Sequence, residues 1–437
     1  MTWATTVSAL ARAAWAGIDP DGFFHHHAAD TEPFPVRFPG LGTVLFFATG
    51  DAARDILTAP TTLCRAPLPN PIEPVVGEHS LILLSGAAHR RARAIVAPAF
   101  RGEAVRGYLD LIAEVTAEQV AAVRPGGRLL VGRVAQAITL DVMIRVVFGV
   151  ADRARHAQYA RVTTELLHAG SGPLMLVPWL RREVGGRGPW ARLVAVRTQL
   201  DRLLGAQIDE RRASAQHHGD VMDRILNATD DDGGTLTDTA LCDQLRTMLA
   251  AGHETSSTSL TWALYHIHRD DSIRMGVLGE LATATTPGEF AALPYLNAVI
   301  SETLRMHPPV PIVLRELTGP YTVDGHAYRG GDVVGIALPA MHFNPRLWPR
   351  PDVFDPSRFL DGKPTPFQYA PFGGGYRRCI GAGFAQHELA VVIGTIMTTL
   401  QMRLPAGERR RRSPRAVPRG IATIPSREIA LQVLTRG

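Results

Sequence analysis

Phe372-Gly373-Gly374-Gly375-Tyr376-Arg377-Arg378-Cys379-Ile380-Gly381 is the stretch on which the reading of this chain turns. It sets one cysteine in a glycine-rich loop beside two arginines, directly before an apolar segment, Phe384 to Leu400, that predicts a buried helix. A thiolate at that point is stabilised by free backbone N–H groups at the helix start and by neighbouring cations. Gly375 and Gly381 are expected to let the backbone turn tightly and approach a flat partner. Arginine beside the loop suits an anionic carboxylate. The bland alternative is a buried, inert cysteine in a glycine-rich turn.

The spacing Phe-x-x-Gly-x-Arg-x-Cys-x-Gly resembles the haem-binding loop of the cytochrome P-450 monooxygenases of the soluble bacterial type, with every fixed position filled. The resemblance implies that Cys379 is the axial ligand of haem b iron and that Phe372, Gly373 and Gly381 belong to the cofactor bed. It implies that Arg377 meets a haem propionate. It also implies a mainly α fold with small β-sheets, a triangular helix-rich prism with haem between a long central helix and the cysteine loop. His89 and Arg93, four apart and so on one helix face, are similar to the family's His-x-x-x-Arg pair for the propionates. Arg315, ten residues after Arg305, matches a third propionate-binding arginine.

Ala251-Gly252-His253-Glu254-Thr255-Ser256 interrupts an apolar helix expected from Asp238 to His268. Glycine inside a helix costs up to about 1 kcal/mol relative to alanine, so Gly252 calls for a reason, and space for a small ligand against the backbone is the expected one. Thr255 can bond back to a carbonyl of the preceding turn, while Glu254 supplies a titratable neighbour. The set resembles the family's Ala-Gly-x-Asp/Glu-Thr element, which implies that Glu254 and Thr255 feed protons to bound dioxygen. Glu302 and Arg305 lie three apart on one helical face, and Arg358 follows in Pro356-Ser357-Arg358-Phe359. These segments resemble the Glu-x-x-Arg and Pro-Glu-Arg-Phe elements, implying a buried charge triad beneath the cofactor. Ser357 departs from the glutamate common at its position, but the arginine is present.

The chain has 437 residues, 46% of them hydrophobic, enough for a large core. The organisation predicted is one domain over 1–437, with a helix-rich lobe at 86–307 and 383–402 and β-rich portions at 34–48, 308–364 and 416–435. Residues 34–48 read as a hairpin, Thr49 opens a helix to Leu57, 66–85 is irregular, and Ala422 to Leu434 reads as a terminal strand pair. The 46 basic and 41 acidic residues are nearly balanced, and the arginines form no aromatic-interleaved stripe, so nucleic acid is not an expected partner. The run Arg409 to Arg412 reads as a solvated loop. His25-His26-His27 reads as a chance run in a loop, since three consecutive histidines cannot all face one ion on a regular element. Three cysteines rule out a disulfide framework and suit a reducing cytoplasm, and the N-terminus shows neither signal peptide nor membrane anchor.

By the same resemblance, an apolar substrate pocket is lined by Leu68, Ile72, Leu81 and Ile82, by Leu174, Met175 and Val177, by Leu249 to Ala251, by Val310 and Val313, and by Ile421 and Ala422. The implied activity is insertion of one atom of O2 into a hydrophobic small molecule such as a terpenoid, polyketide or macrolactam. Electrons come from NAD(P)H through ferredoxin reductase and ferredoxin, and the enzyme works as a monomer. Arg378, Arg90 and Arg91 are the cations expected to face that ferredoxin. Peroxide-driven oxidation, C–C coupling or rearrangement is a second enzymatic possibility, and a non-catalytic haem sensor a third.

Overall fold

In the computed structural model, which describes residues 12–38, 41–171, 180–182, 185–214, 216, 218–420 and 422–436, the alternation around Gly42 does form a hairpin. Phe34–Phe38 pairs antiparallel with Gly42–Phe47. The second strand carries Val44, Phe46 and Phe47 into the core, and a parallel partner, Val333–Ala337, covers its other edge. Ile312–Leu317 and Cys64–Arg65 complete this five-stranded sheet.

The helix that follows the hairpin, α1 (Gly50–Thr58), starts where Thr49 accepts a bond from the Ala52 N–H, satisfying one of the orphan donors of the first turn. Helix α2 (Gly86–Val96) and α3 (Val131–Val142) precede the longest helix, α4, which runs 32 residues from Asp238 to Arg269 with Thr237 as its side-chain cap. Leu260, Trp262 and Leu264 in α4 are almost wholly buried, as expected of a helix enclosed on all sides. Helix α5 (Pro294–Met306) ends at His307, where Pro308 and Pro309 prevent its continuation. Helix α6 (Ala382–Thr399) packs apolar residues from Leu389 to Ile393 into the same core and then turns into a strand, Leu400–Arg403.

Several local readings are corrected. The two terminal strands exist but do not pair with each other. Ala422–Pro425 pairs with Ala416–Arg419, whereas Ala430–Arg436 joins Arg128–Leu130 and Leu400–Arg403. Strand propensity marks the segments; distant partners decide the pairing. The irregular 66–85 stretch contains a short helix, Glu73–Val76. His25 and His26 close a helix, Pro20–His26, and the His27 ring stacks on Phe34 with centroids 4.0 Å apart. Arg409 is tied to Asp271 at 2.6 Å and Arg411 to Glu408 at 2.7 Å, with Arg409 inside a short helix, Ala406–Arg410. Among the described residues, no helix is long and apolar enough to cross a membrane.

Candidate active site

The cysteine loop is closed on itself before it meets anything else. The Cys379 N–H donates to Phe372 O at 2.9 Å, and the Gly373 N–H to Ala370 O at 2.9 Å. Gly373 and Gly375 adopt φ of 63° and 61°, and a Cβ on Gly375 would stand 1.9 Å from Leu57 O, so the loop presses on the end of α1 where only glycine fits. Gly381, by contrast, has φ −86°, an ordinary value, so the tight turning is done upstream of it. Gly381 is also the N-cap of α6 and brings no capping side chain, which leaves the first N–H groups of the helix open.

Cys64 and Cys242 are buried, whereas Cys379 is open. Packed surroundings push the Cys379 thiol up, and the Gly381 N–H, Arg378 and Arg93 pull it back down. An open thiol within a packed surround has the setting of a cavity-wall ligand, where a bound metal would deprotonate it outright.

Around the loop, cationic groups gather without carboxylate partners among the described residues. Arg93 donates to Arg378 O, at 2.8 Å. Arg315, 5% exposed, donates through Nη1 to Leu314 O, but its buried Nε has no partner. His89 is held well below its usual value, to about 4, first by burial and then by Arg377, Arg93 and Arg315. The Tyr376 ring lies among them, with Arg315 and Arg377 at 6.0 and 5.5 Å from its centroid. Arg377 donates to Ile82 O, Leu84 O, Ser85 Oγ and Tyr376 Oη, so most of its five donors are held by protein. The orphaned Arg315 Nε, the neutral His89 and Arg93 fit a ligand that brings carboxylates, as haem does. Along the same face of α2 runs a concavity of about 300 Å³, lined by Thr61, His89, Arg90, Arg93, Arg101 and Tyr376 among others. Arg91 faces outward, 60% exposed, but is paired with Asp230 at 2.8 Å.

Glu302 and Arg305 have no exposed surface and face each other in a bidentate pair, at 2.6 and 2.8 Å. Arg358 Nε approaches Glu302 Oε1 at 3.4 Å, and the Asp355 N–H donates to the same oxygen. The three residues therefore do meet. His342, which the sequence did not single out, joins this group to the cysteine loop. Arg305 Nη1 donates to His342 O, His342 Nδ1–H donates to Arg305 O at 3.0 Å, and His342 Nε2 accepts from the Ala370 N–H at 3.2 Å. Its only sequence signal is a polar residue within the apolar run Leu338-Pro339-Ala340-Met341-His342-Phe343.

On α4, Thr255 Oγ1 donates to Ala251 O at 2.5 Å, the back-bond expected of it. At Gly252, a Cβ would meet Met143 Sδ at 2.9 Å, the end of a flexible side chain on the turn that follows α3. Burial pushes the Glu254 carboxyl up and Arg419 pulls it down, across an ion pair of 3.7 Å between residues far apart in the chain and invisible to motif reading.

Of the expected pocket residues, Ile72, Leu81 and Ala422 are buried, Ile82 and Val313 partly so, Val310 half-buried and Leu68 52% exposed. Leu174, Met175, Val177 and Ile421 lie outside the described residues.

A helix-rich fold with small sheets, an open cysteine before a buried helix and unpaired cations around it define a haem-thiolate enzyme. The cytochrome P450 family model matches residues 33–431, and the chain belongs to that family. It is 34% identical over 364 residues to cytochrome P450 135A1 of Mycobacterium tuberculosis, covering 82% of this chain and 78% of that protein. It is 32% identical over 372 residues to cytochrome P450 135B1 of Mycobacterium bovis, covering 84% and 78%. The fold is similar to retinoic acid-bound cyanobacterial CYP120A1, with TM-score 0.81, 24% identity and coverage of 93% and 92%. It is likewise similar to the haem domain of a cytochrome P450DA mutant, with TM-score 0.82, 22% identity and coverage of 98% and 95%. The chain is thus a monooxygenase that uses haem and dioxygen, of a family that typically draws electrons from redox partners.

Proposed function

We propose that this enzyme inserts one atom of O2 into a C–H or C=C bond of an apolar secondary metabolite, such as a terpenoid, polyketide or macrolactam. Its electrons come from a ferredoxin and an NAD(P)H-linked reductase. The observation that carries the reading is the Thr255 hydroxyl, fixed to Ala251 O at 2.5 Å with the Glu254 carboxyl on the preceding residue.

Cys379 would hold haem as its thiolate ligand, and the bound group would supply oxygen activation favoured by that electron-rich sulfur. Cys379 provides that thiolate, with Gly381 N–H, Arg378 and Arg93 favouring the anion. Arg315, His89 and Arg93 would receive the carboxylates of the group. The Thr255 proton is directed at Ala251 O, which leaves the hydroxyl oxygen free to accept from a neighbour. Glu254, raised by burial, is an acid that can give and regain a proton nearer neutral pH than an exposed carboxyl. A peroxide user has less need of this acid and alcohol pair.

Buried Leu249, Ala250 and Ala422 support an apolar substrate. Exposed Arg90, Arg101 and Arg378 support an acidic electron donor, and three free cysteines support a reducing cytoplasm. The test is a screen of apolar compounds by haem spectral shift, then turnover with a surrogate ferredoxin system under isotopically labelled O2. One labelled oxygen atom in the product is expected. Product formed only with added peroxide, or carrying no label, would overturn the reading.

A further inference from the structure

Glu254 sits at a junction of three elements. Its own helix, α4, carries it; α3 packs against α4; and the hairpin Ala416–Arg419 with Ala422–Pro425 closes over it. The hairpin is clamped to the helix, because Thr258 Oγ1 donates to Thr423 O at 2.7 Å while the Thr423 N–H donates to Pro309 O at 2.9 Å. Its turn approaches Glu254 so closely that a Cβ on Gly420, which has φ 59°, would stand 2.7 Å from Glu254 Oε2. That left-handed φ is the feature that favours glycine here.

Arg419 is the last residue of the first strand. Its Nε stands 3.7 Å from Glu254 Oε1, too far for a hydrogen bond, and that buried nitrogen has no other partner among the described residues. The other end of the guanidinium is fixed. With the Gln136 amide in the orientation its neighbours require, the Gln136 oxygen accepts from both Nη1 and Nη2 of Arg419. Gln136 belongs to α3, one turn before Thr139, whose hydroxyl lies 2.9 Å from His253 Nδ1.

The geometry points to Arg419 as the positioning residue for Glu254, a guanidinium anchored by Gln136 that keeps the carboxylate charged and aligned without locking it in a hydrogen bond. The role rests on the proton-delivery reading of Glu254 and Thr255. A carboxylate held by a tight bidentate pair gives up its geometry reluctantly, whereas one held at 3.7 Å keeps electrostatic bias and freedom to turn. The charged and titratable groups around it, among the described residues, are few. The hairpin offers Arg419, α3 offers only the neutral Gln136, and His253 on α4 is turned to Thr139 and kept neutral, pushed down to about 4 by burial and then Arg419.

The experiment uses the haem-loaded protein and four variants: Arg419→Gln, Arg419→Lys, Gln136→Leu and Glu254→Gln. Infrared titration reads the Glu254 carboxyl directly, identified by subtracting Glu254→Gln, and the pH profile of peroxide released per NAD(P)H reads coupling. Loss of the cation leaves burial unopposed. Arg419→Gln is therefore expected to weaken ionisation of the carboxyl roughly tenfold, moving its titration and the coupling profile up by about one pH unit. Arg419→Lys should recover most of the shift, and Gln136→Leu should show a smaller one. Substrate affinity by spectral shift should stay near wild type. A carboxyl titration unmoved in Arg419→Gln, or in Arg419→Lys and Gln136→Leu together if Arg419→Gln does not fold, overturns the proposal. If the titration moves but Glu254→Gln turns over normally, the positioning stands and the proton-delivery reading of Glu254 fails instead.

Discussion

Arg305 and His342 hold each other twice: the guanidinium donates to the His342 carbonyl at 2.7 Å, and the His342 Nδ1–H donates to the Arg305 carbonyl at 3.0 Å. The second ring nitrogen must then accept from the Ala370 N–H, so the imidazole is neutral with a defined tautomer. Burial holds it there, pushing its pKa down to about 3. A buried charge pair on α5 is in this way wired to the segment that leads into the cysteine loop.

Replacing His342 by leucine should leave the Ala370 N–H and the Arg305 carbonyl buried and unpaired, at a cost of about 1–3 kcal/mol for each group. The expected outcome is a lower melting temperature and a smaller fraction of protein that retains haem, measured by calorimetry and by the haem-to-protein absorbance ratio. Because the folded-state pKa lies below the unfolded one, the contribution of His342 is present above about pH 6.5 and lost as pH falls toward 3. Wild type should therefore lose stability over that window faster than the leucine variant.

Thr255→Ala should consume NAD(P)H with little product and much peroxide, since positioned proton transfer typically contributes about 10²–10⁴-fold. Glu254→Gln should slow turnover with substrate affinity nearly unchanged. Product and peroxide yields per NAD(P)H check both. A Thr255→Val variant as well coupled as wild type would return the residue to a packing role.

Glu388 on α6 gives a pH dependence of opposite sign. Its carboxyl is fully buried, accepts from Ser256 Oγ at 2.6 Å through one oxygen, leaves the other unpartnered, and is pushed up to about 7 by burial. Between the ordinary value of 4.5 and about 7 the folded state binds more protons than the unfolded, so stability falls as pH rises through this window. The loss is on the order of 3 kcal/mol. Glu388→Gln should flatten the fall, seen as a relative gain in denaturant midpoint above pH 7.

Much of the site was legible because its chemistry is written at short, fixed spacings. Cys379 with its glycines and arginines, Glu302 with Arg305, and Glu254 with Thr255 each lie within one loop or one helical turn, where sequence distance sets spatial distance. Arg419, Gln136 and His342 were not legible. Each acts across elements far apart in the chain, and packing alone brings it to its partner. Gly252 was noticed for its cost in a helix, but its approach to Met143 on another element was not legible. The terminal strands failed similarly, since alternation predicts a strand but not its neighbour.

An acidic electron donor should recognise the cations left free on the cysteine side. Arg90 and Arg101 are exposed beside the concavity on α2, whereas Arg91 is engaged with Asp230. Reduction by ferredoxin should slow as ionic strength rises, and Arg90→Glu should slow it further at low salt, both read by stopped-flow absorbance. A rate indifferent to salt and to Arg90→Glu would place the donor elsewhere.

The central claim is that Cys379 holds the haem iron as a thiolate. The reduced, carbon monoxide-bound protein should show the strongly red-shifted Soret band of thiolate ligation, and Cys379→Ala should lose it while Cys64→Ala and Cys242→Ala keep it. Persistence of that band in Cys379→Ala would contradict the account.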